Sequence, residues 1–169
     1  MMKYGALLLI FFSLGCLYSG QVYTPSSYGI RYIKIVNKSD AAGTLLDAAC
    51  IGDTSGELVC AREVHSVQRT PYSGDIEGRL NPEQSLGKPN ARCGDESQYA
   101  YDMSPNGVII LELEETMTMQ ELNSVKVFTL NDCQPSVVDV HLLGDVEDDN
   151  LFCGNRDEGQ IVCPLIVIQ

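Results

Sequence analysis

The C-terminal third of the chain carries the apolar runs that decide its fold: VIILELE (108–114), SVKVFTL (124–130), VVDVHLL (137–143) and IVCPLIVI (161–168). In the third run, Val138, Val140 and Leu142 alternate with Asp139 and His141. Alternation with a period of two is typical of a strand that has one buried face. Acidic turns separate the runs and no helical stripe lies between them, so the pattern predicts an antiparallel sheet.

The N-terminal half is expected to supply a partner sheet. GIRYIKIV (29–36) alternates apolar and basic residues and predicts a strand, whereas TLLDAAC (44–50) fits either a short strand or a helical turn. Residues 70–102 contain too many glycines and prolines for a continuous helix or strand. A loop of this length is either functional or tethered. The predicted fold is an all-β, antiparallel β-sandwich, formed as a single domain and stabilised by disulfides.

Residues 1–20 have the pattern of a secretory signal peptide. Lys3 is their only charge, an apolar core follows it, and Ser19 and Gly20 offer a cleavage point. The apolar core is shorter than the ~20 residues that span a bilayer. Two alternatives stay open: a retained signal anchor, and bacterial lipidation at Cys16. Otherwise the mature chain is secreted, and its domain is predicted to occupy the remaining residues, 21–169.

The chain is strongly acidic, with a formal net charge of −12 and a pI of about 4.4. Loss of Lys3 with the signal peptide takes the charge from −12 to −13. Basic patches bind nucleic acids and anionic membrane surfaces, so the composition argues against both as partners. No membrane insertion is expected after signal cleavage.

Removal of Cys16 leaves an even number of cysteines, as a disulfide framework in a secreted chain requires. They are Cys50, Cys60, Cys93, Cys133, Cys153 and Cys163. CIGDTSGELVC (50–60) and CGNRDEGQIVC (153–163) share their spacing and their endings, which predicts that each segment closes its own hairpin. Cys93 and Cys133 then tie the long loop to the sheet. Six cysteines allow fifteen connectivities, and a chance likeness of the two segments is the alternative.

An N-glycosylation sequon, Asn37-Lys38-Ser39, ends the first predicted strand. At the end of a strand we expect Asn37 to be exposed and available for modification. Occupancy depends on a eukaryotic secretory route.

Four stretches carry a resemblance to a known family: GIRYIKIVN (29–37), QSLGKPNA (84–91), NGVIILEL (106–113) and LNSVKVFTL (122–130). They are similar to the loop and strand motifs of the galactose-binding-like, discoidin-type β-sandwich superfamily. The resemblance implies a jelly-roll β-sandwich used for recognition or adhesion outside the cell. Asn90 stands where the family usually has aspartate, and the chain has no tryptophan. The resemblance therefore implies a fold and a general role, without a particular ligand.

Patterns that indicate catalysis are sparse, and no catalytic residue is predicted. Ser85 and Lys88 match a Ser-x-x-Lys motif, but that chemistry needs a helix, which the neighbouring glycine and proline disfavour. His65 and His141 lack the partner spacing of a metal site or a general base.

Carboxylates cluster at residues 112–115 and 145–149. A glycosidase needs two facing carboxyl groups, usually in a cleft lined with aromatic rings, and a chain without tryptophan is a poor candidate. The second cluster offers oxygen ligands that suit a structural calcium ion, although its spacing is not that of an EF-hand. The predicted ligands are Asp145, Glu147, Asp148 and Asp149. A solvated turn is the alternative, and no other cofactor is predicted.

The long irregular segment is the predicted ligand site. Its candidate contact residues are Tyr72, Arg92, Tyr99 and Tyr101, which occur together with Asp75 and Asp102. Tyrosine combines an apolar face with a hydroxyl group, which suits contacts to sugars or proteins. The alternative is that these tyrosines pack the segment down onto the rest of the domain.

These features predict a secreted, non-catalytic recognition or adhesion module that binds carbohydrate or an extracellular protein. The alternative is a structural subunit of an extracellular coat, appendage or matrix, which self-associates through its sheet edges. A secreted hydrolase is the least favoured hypothesis.

Overall fold

The computed structural model of the chain describes residues 29–90, 100–130, 137–146 and 151–155, the last range without its side chains. Within these ranges the chain is all-β and antiparallel, which confirms the predicted class. The predicted signal peptide and Cys16 lie outside the described residues. In the part of the chain that is described, no helix has the length and apolar character of a membrane span.

The strands follow the chain as β1 (Gly29–Asn37), β2 (Thr44–Asp53), β3 (Leu58–Gln68), β4 (Tyr101–Met103), β5 (Val108–Thr118), β6 (Leu122–Thr129), β7 (Val138–Leu143) and β8 (Leu151–Asn155). One turn of 3₁₀-helix, Pro82–Ser85, lies between β3 and β4. The alternating runs of the sequence form β1, β5, β6 and β7, as predicted. The ambiguous segment 44–50 is part of β2, and the apolar run 161–168 lies outside the described residues.

The strands pair in two groups that share β3. One group has the order β3–β5–β1–β7–β8, and in the other β2 pairs with β3, β4 and β6. The first residues of β3, 58–60, pair with β2. From Ala61 onward, β3 leaves β2 and pairs with β5 instead. The point between Cys60 and Ala61 is therefore where one strand passes from one group to the other.

The main hydrophobic core is formed jointly by the two groups of strands. Ile33 and Ile35 of β1 alternate with partly exposed residues and are fully buried. They join Leu111 of β5, Ile51 of β2 and Val127 of β6 in one cluster. Burial of such a side chain contributes about 1.5–3 kcal/mol, which explains why the alternating runs determine the strand register.

β2 is covered on both faces, and nine of its ten residues are buried. Leu46 and Ile51 belong to the main core, whereas Ala48 and Cys50 form a smaller apolar cluster with Cys60. A strand covered on both sides needs no polar alternation. This explains why segment 44–50 lacks a clear strand pattern.

The hairpin between β2 and β3 contains the predicted disulfide Cys50–Cys60, which joins directly opposed residues. Its turn is closed by Asp53, whose carboxylate accepts hydrogen bonds from the amides of Ser55 and Glu57 at 2.9 and 2.8 Å. Of the other predicted disulfide cysteines, three, Cys93, Cys133 and Cys163, lie outside the described residues. Cys153 lies in β8, where only the backbone is described, so the two remaining pairs stay predictions.

Candidate functional site

The segment after β3 begins with two consecutive β-turns. In the first, the amide of Asp75 donates to the carbonyl of Tyr72 at 3.2 Å. In the second, the amide of Arg79 donates to the carbonyl of Ile76 at 3.0 Å. Gly78, the third residue of the second turn, has a φ of 88°. This positive φ is what a type II turn requires at that position, and glycine adopts it without strain.

Asp102 of β4 holds both turns in place. Its fully buried carboxylate accepts hydrogen bonds from the Tyr72 hydroxyl, at 3.1 Å, and from the Ile76 amide, at 3.2 Å. The amide of Asp102 donates to the carbonyl of Arg79 at 2.7 Å. One buried residue thus fixes the backbone of the segment at several points, and we call residues 69–81 the braced loop.

Arg69 and Asp75 add a second set of contacts within the braced loop. Nη2 of Arg69 pairs with Oδ1 of Asp75, and the two side chains are only 15% and 25% exposed. Nε of Arg69 also donates to the carbonyl oxygen of Asp102 at 3.3 Å. A shielded, charge-assisted pair of this kind holds its geometry better than an exposed one.

Burial also shifts the pKa values of Asp102 and Tyr72. Removal from water raises the pKa of Asp102, although hydrogen bonds from the Ile76 amide and the Tyr72 hydroxyl oppose that rise. Burial, repulsion from the Asp102 carboxylate and the hydrogen bond between them raise the pKa of Tyr72 to about 12. Tyr72 is therefore a hydrogen-bond donor at neutral pH. The arrangement is suited to holding a loop and offers no activated nucleophile.

Gly43, which precedes β2, is part of the same arrangement. A Cβ atom at this position would collide with the Tyr72 hydroxyl and with Oδ1 of Asp102. Gly43 also makes a backbone hydrogen bond with Tyr72. Close approach therefore requires glycine here, because any larger side chain would separate Tyr72 from Asp102.

The braced loop exposes two large aliphatic side chains. Ile76, the first residue of the second turn, is 41% exposed, and Leu80, which follows that turn, is 44% exposed. On a fixed backbone, these two side chains are available for apolar contact with another protein. We call Ile76 and Leu80 the loop tip. The sequence pattern did not predict this pair, and the available signal was two isolated aliphatic residues in a polar segment.

The structure describes two of the four predicted ligand residues, Tyr72 and Tyr101, and assigns both to packing. Tyr101 is 1% exposed and belongs to the main core. The hydroxyl of Tyr72 is engaged by Asp102. For these two residues, the structure supports the alternative in which tyrosines pack the segment onto the domain. Arg92 and Tyr99 lie outside the described residues.

A groove opens where β3 changes its partner strand. It has a volume of about 570 Å³ and is lined by residues 58–60 of β3, Glu114 and Glu115 of β5, and the charged side chains of Glu57, Arg62 and Lys88. We call this groove the wedge. In its lining, Nε of Arg62 lies 3.3 Å from a carboxylate oxygen of Glu114, and both side chains are exposed. Beside it, the amide of Gly87 donates to the carbonyl of Ala61 at 2.9 Å.

The predicted glycosylation residue, Asn37, is fully buried. Its Nδ2 donates to the carbonyls of Ala42 and Ser104 at 3.0 and 2.9 Å, and its Oδ1 accepts from the amide of Ser39 at 3.0 Å. The expected exposure of Asn37 is therefore wrong. A glycan on Nδ2 and this set of hydrogen bonds exclude one another, because the same nitrogen ties β1 to the chain after β4.

The residues of the catalytic alternatives are not brought together. Ser85 is buried in the 3₁₀-helix, and its hydroxyl donates to the carbonyl of Pro82 at 2.7 Å. His65 lies on β3 and its ring meets the ring of Tyr32 edge-on, with centroids 5.1 Å apart. His141 lies on β7, and burial together with the nearby charge of Lys34 lowers its pKa.

Of the predicted calcium ligands, Asp145 is described and lies just after β7. Glu147, Asp148 and Asp149 lie outside the described residues. No group of three or more His, Cys, Asp or Glu side chains in the described ranges is placed to hold a metal ion. The calcium site stays a prediction.

No family model, curated protein or solved structure matches this chain. The function is therefore inferred from the braced loop, the loop tip and the wedge.

Proposed function

We propose that the chain is a secreted, non-catalytic recognition module that binds an extracellular protein through its loop tip. The observation that carries this proposal is the exposure of Ile76 and Leu80, 41% and 44%, on a loop fixed by a buried carboxylate. A flexible loop loses conformational entropy when it binds, whereas a braced loop has already lost it on folding. The contacts that hold the braced loop therefore favour binding, although they do not touch the partner themselves.

A protein is favoured over a carbohydrate as the ligand because the loop tip is aliphatic. Sugar recognition relies on aromatic faces and hydroxyl groups. Of the three tyrosines predicted to offer them, Tyr72 and Tyr101 are used in packing. Aliphatic side chains in a water-excluding contact contribute about 25 cal/mol per Å² of buried apolar area. Glu77, exposed between the two aliphatic residues, suits a partner whose apolar cleft carries a basic group.

We further propose that the two groups of strands form the layers of a jelly-roll β-sandwich of the galactose-binding-like type. The support is that both groups contribute inward side chains to one core. The resemblance of the sequence points in the same direction. In such a sandwich, recognition is placed in the connecting loops, which agrees with the position of the loop tip.

The test is a selection of binders from a phage-displayed peptide library against the full chain. Binders selected on the native chain should lose about tenfold or more in affinity for an Ile76→Ser/Leu80→Ser variant, because two apolar anchors are removed. Val67→Ser/Val137→Ser is the matched control, since these side chains are exposed to a similar degree, 37% and 40%. Binders that respond equally to both variants, or hits confined to a glycan array, would refute the loop tip as the protein-binding site.

A second variant tests the hydrogen bonds that hold the braced loop separately from the side chains of the loop tip. Gly43→Ala keeps the side chains of Ile76 and Leu80 but pushes the Tyr72 hydroxyl away from Asp102 and so loosens the loop that carries them. Provided that circular dichroism shows an unchanged fold, we expect weaker binding with a larger unfavourable entropy in calorimetry. An unchanged entropy would show that the brace does not prepare the loop tip for binding.

A further inference from the structure

We propose that the wedge binds an extended, lysine- or arginine-bearing segment of a partner protein, which adds to the sheet as a strand. The wedge contains none of the residues of the loop tip, so this site is independent of the proposed function. The inference rests on the strand register, on the packing of β3 and on the charges around the groove.

The strand register leaves two stretches of β-strand open towards the wedge. Residues 58–60 pair with β2 on one edge, and β5 pairs with β3 only from Leu113 and Ala61 onward. Along β5, the pairing with β1 passes directly from Tyr32–Glu112 to Ile30–Met117, so the residues of β5 in between have no partner on β1. Residues 114–116 therefore lie outside both ladders and are exposed. Within the described chain, β3 and β5 diverge here and no strand fills the gap between them.

The packing of residues 58–60 of β3 engages their side chains and leaves a strand edge available to a ligand. Val59 packs against the main core on one side of the strand. Leu58 and Cys60 pack into the smaller apolar cluster on the other side. The edge of residues 58–60 that faces away from β2 carries backbone amide and carbonyl groups, which are the usual partners of an added strand. An extended peptide satisfies such groups, whereas a helix or a small molecule does not.

The charges around the wedge favour a basic segment. Arg62 and Glu114 pair with one another. Glu57 and Glu115 are exposed and, among the described residues, belong to no ion pair, while Lys88 is the one cation left unpaired in the wedge. Unpaired acids outnumber the unpaired base, and the chain carries a net charge of −12. Both features attract a positively charged segment.

The probe is a synthetic hexapeptide of alternating valine and threonine with a lysine at each end. In an NMR titration of the full chain, we expect the largest amide shifts at residues 58–60 and 114–116. A second peptide carries N-methyl groups on alternate amides, which keeps its charges and removes its strand hydrogen bonds. It should bind about tenfold more weakly, as expected for the loss of two or more backbone hydrogen bonds.

Charge variants test whether the bound segment has to be basic. Glu57→Gln/Glu115→Gln should weaken binding of the lysine peptide about tenfold, since two charge-assisted contacts are lost. The matched control is Glu63→Gln/Glu83→Gln, which removes two exposed acids outside the wedge. All four positions are exposed, so each variant keeps the fold.

Three results would overturn the inference. The first is the absence of binding up to millimolar peptide, and the second is equal affinity for the N-methylated peptide. The third is concentration-dependent self-association in light scattering that the lysine peptide displaces, because the occupant would then be a second copy of this chain.

Discussion

Tyr72, Asp102 and Gly43 form one arrangement although they come from three separate parts of the chain. The carboxylate of Asp102 is buried and accepts from Tyr72, and the missing side chain of Gly43 provides the space for that contact. A buried carboxylate is unfavourable unless its acceptors are used. The fold uses them to fix a loop that has few apolar contacts of its own.

We expect the stability of the fold at alkaline pH to depend on Tyr72. Its pKa rises from the ordinary 10.0 to about 12 in the fold. Its contribution to the free energy of unfolding is therefore fully present below pH 10 and is lost as the pH rises from 10 to 12. Urea unfolding of the native chain and of Tyr72→Phe at a series of pH values measures this difference.

At neutral pH, Tyr72→Phe should reduce the free energy of unfolding by about 1 kcal/mol, because Asp102 loses one hydrogen-bond donor. Through the alkaline window the native chain should lose stability relative to the variant, which has no hydroxyl to ionise. Parallel curves throughout that window would contradict the raised pKa. Subtraction of the variant's curve removes the contribution of the other tyrosines.

At the scale of elements, the β2–β3 hairpin is where the chain passes from one group of strands to the other. The two strands pair over only three registered positions before β3 leaves for β5. The Cys50–Cys60 disulfide is placed at the last of these positions. It therefore closes the hairpin at the point where hydrogen bonding between the two strands ends.

Removal of this disulfide should destabilise the domain by about 3 kcal/mol in the loop-entropy account. The measurement is the urea midpoint of a Cys50→Ala/Cys60→Ala variant, which keeps the site apolar and leaves the other cysteines intact. The slope of the transition should stay the same or rise slightly, because the unfolded chain without this short cross-link exposes as much surface or more. A loss below about 0.5 kcal/mol, the size of one weak hydrogen bond, would mean that the Asp53 turn alone closes the hairpin.

The sequence predicted the elements whose pattern is local. β1, β5 and β7 alternate because each has one buried face, and the paired spacing of Cys50 and Cys60 indicated their hairpin. β2 was ambiguous because both of its faces are covered. The buried position of Asn37 was missed because its hydrogen-bond partners lie as far as 67 residues away.

The candidate site was predicted by region but not by residue. Tyr72 and Asp102 were both noticed in the long segment, but their hydrogen bond was not predicted, because they lie 30 residues apart and no periodicity relates them. The loop tip could not be predicted because it depends on which side chains remain exposed after the segment has packed. The wedge follows from a strand changing partners, which the sequence of β3 does not show.

At the scale of the whole molecule, two electrostatic effects act in opposite directions. The net charge of −12 disfavours a compact chain by self-repulsion. The described residues also form four ion pairs, among them the exposed pair Arg62–Glu114. Salt weakens both effects, because the Debye length falls from about 30 Å at 0.01 M to about 8 Å at 0.15 M. Exposed pairs contribute only about 0–1 kcal/mol each, so we expect self-repulsion to dominate.

The thermal midpoint should therefore rise when salt is increased from low to physiological concentration. The sign of this response in the native chain decides between the two effects, because salt lowers the midpoint where ion pairs dominate. Glu77→Gln/Glu83→Gln removes two exposed acids and makes the chain less negative. If self-repulsion causes the rise, this variant should show a smaller rise than the native chain. Calorimetry of the two chains at two salt concentrations measures both changes.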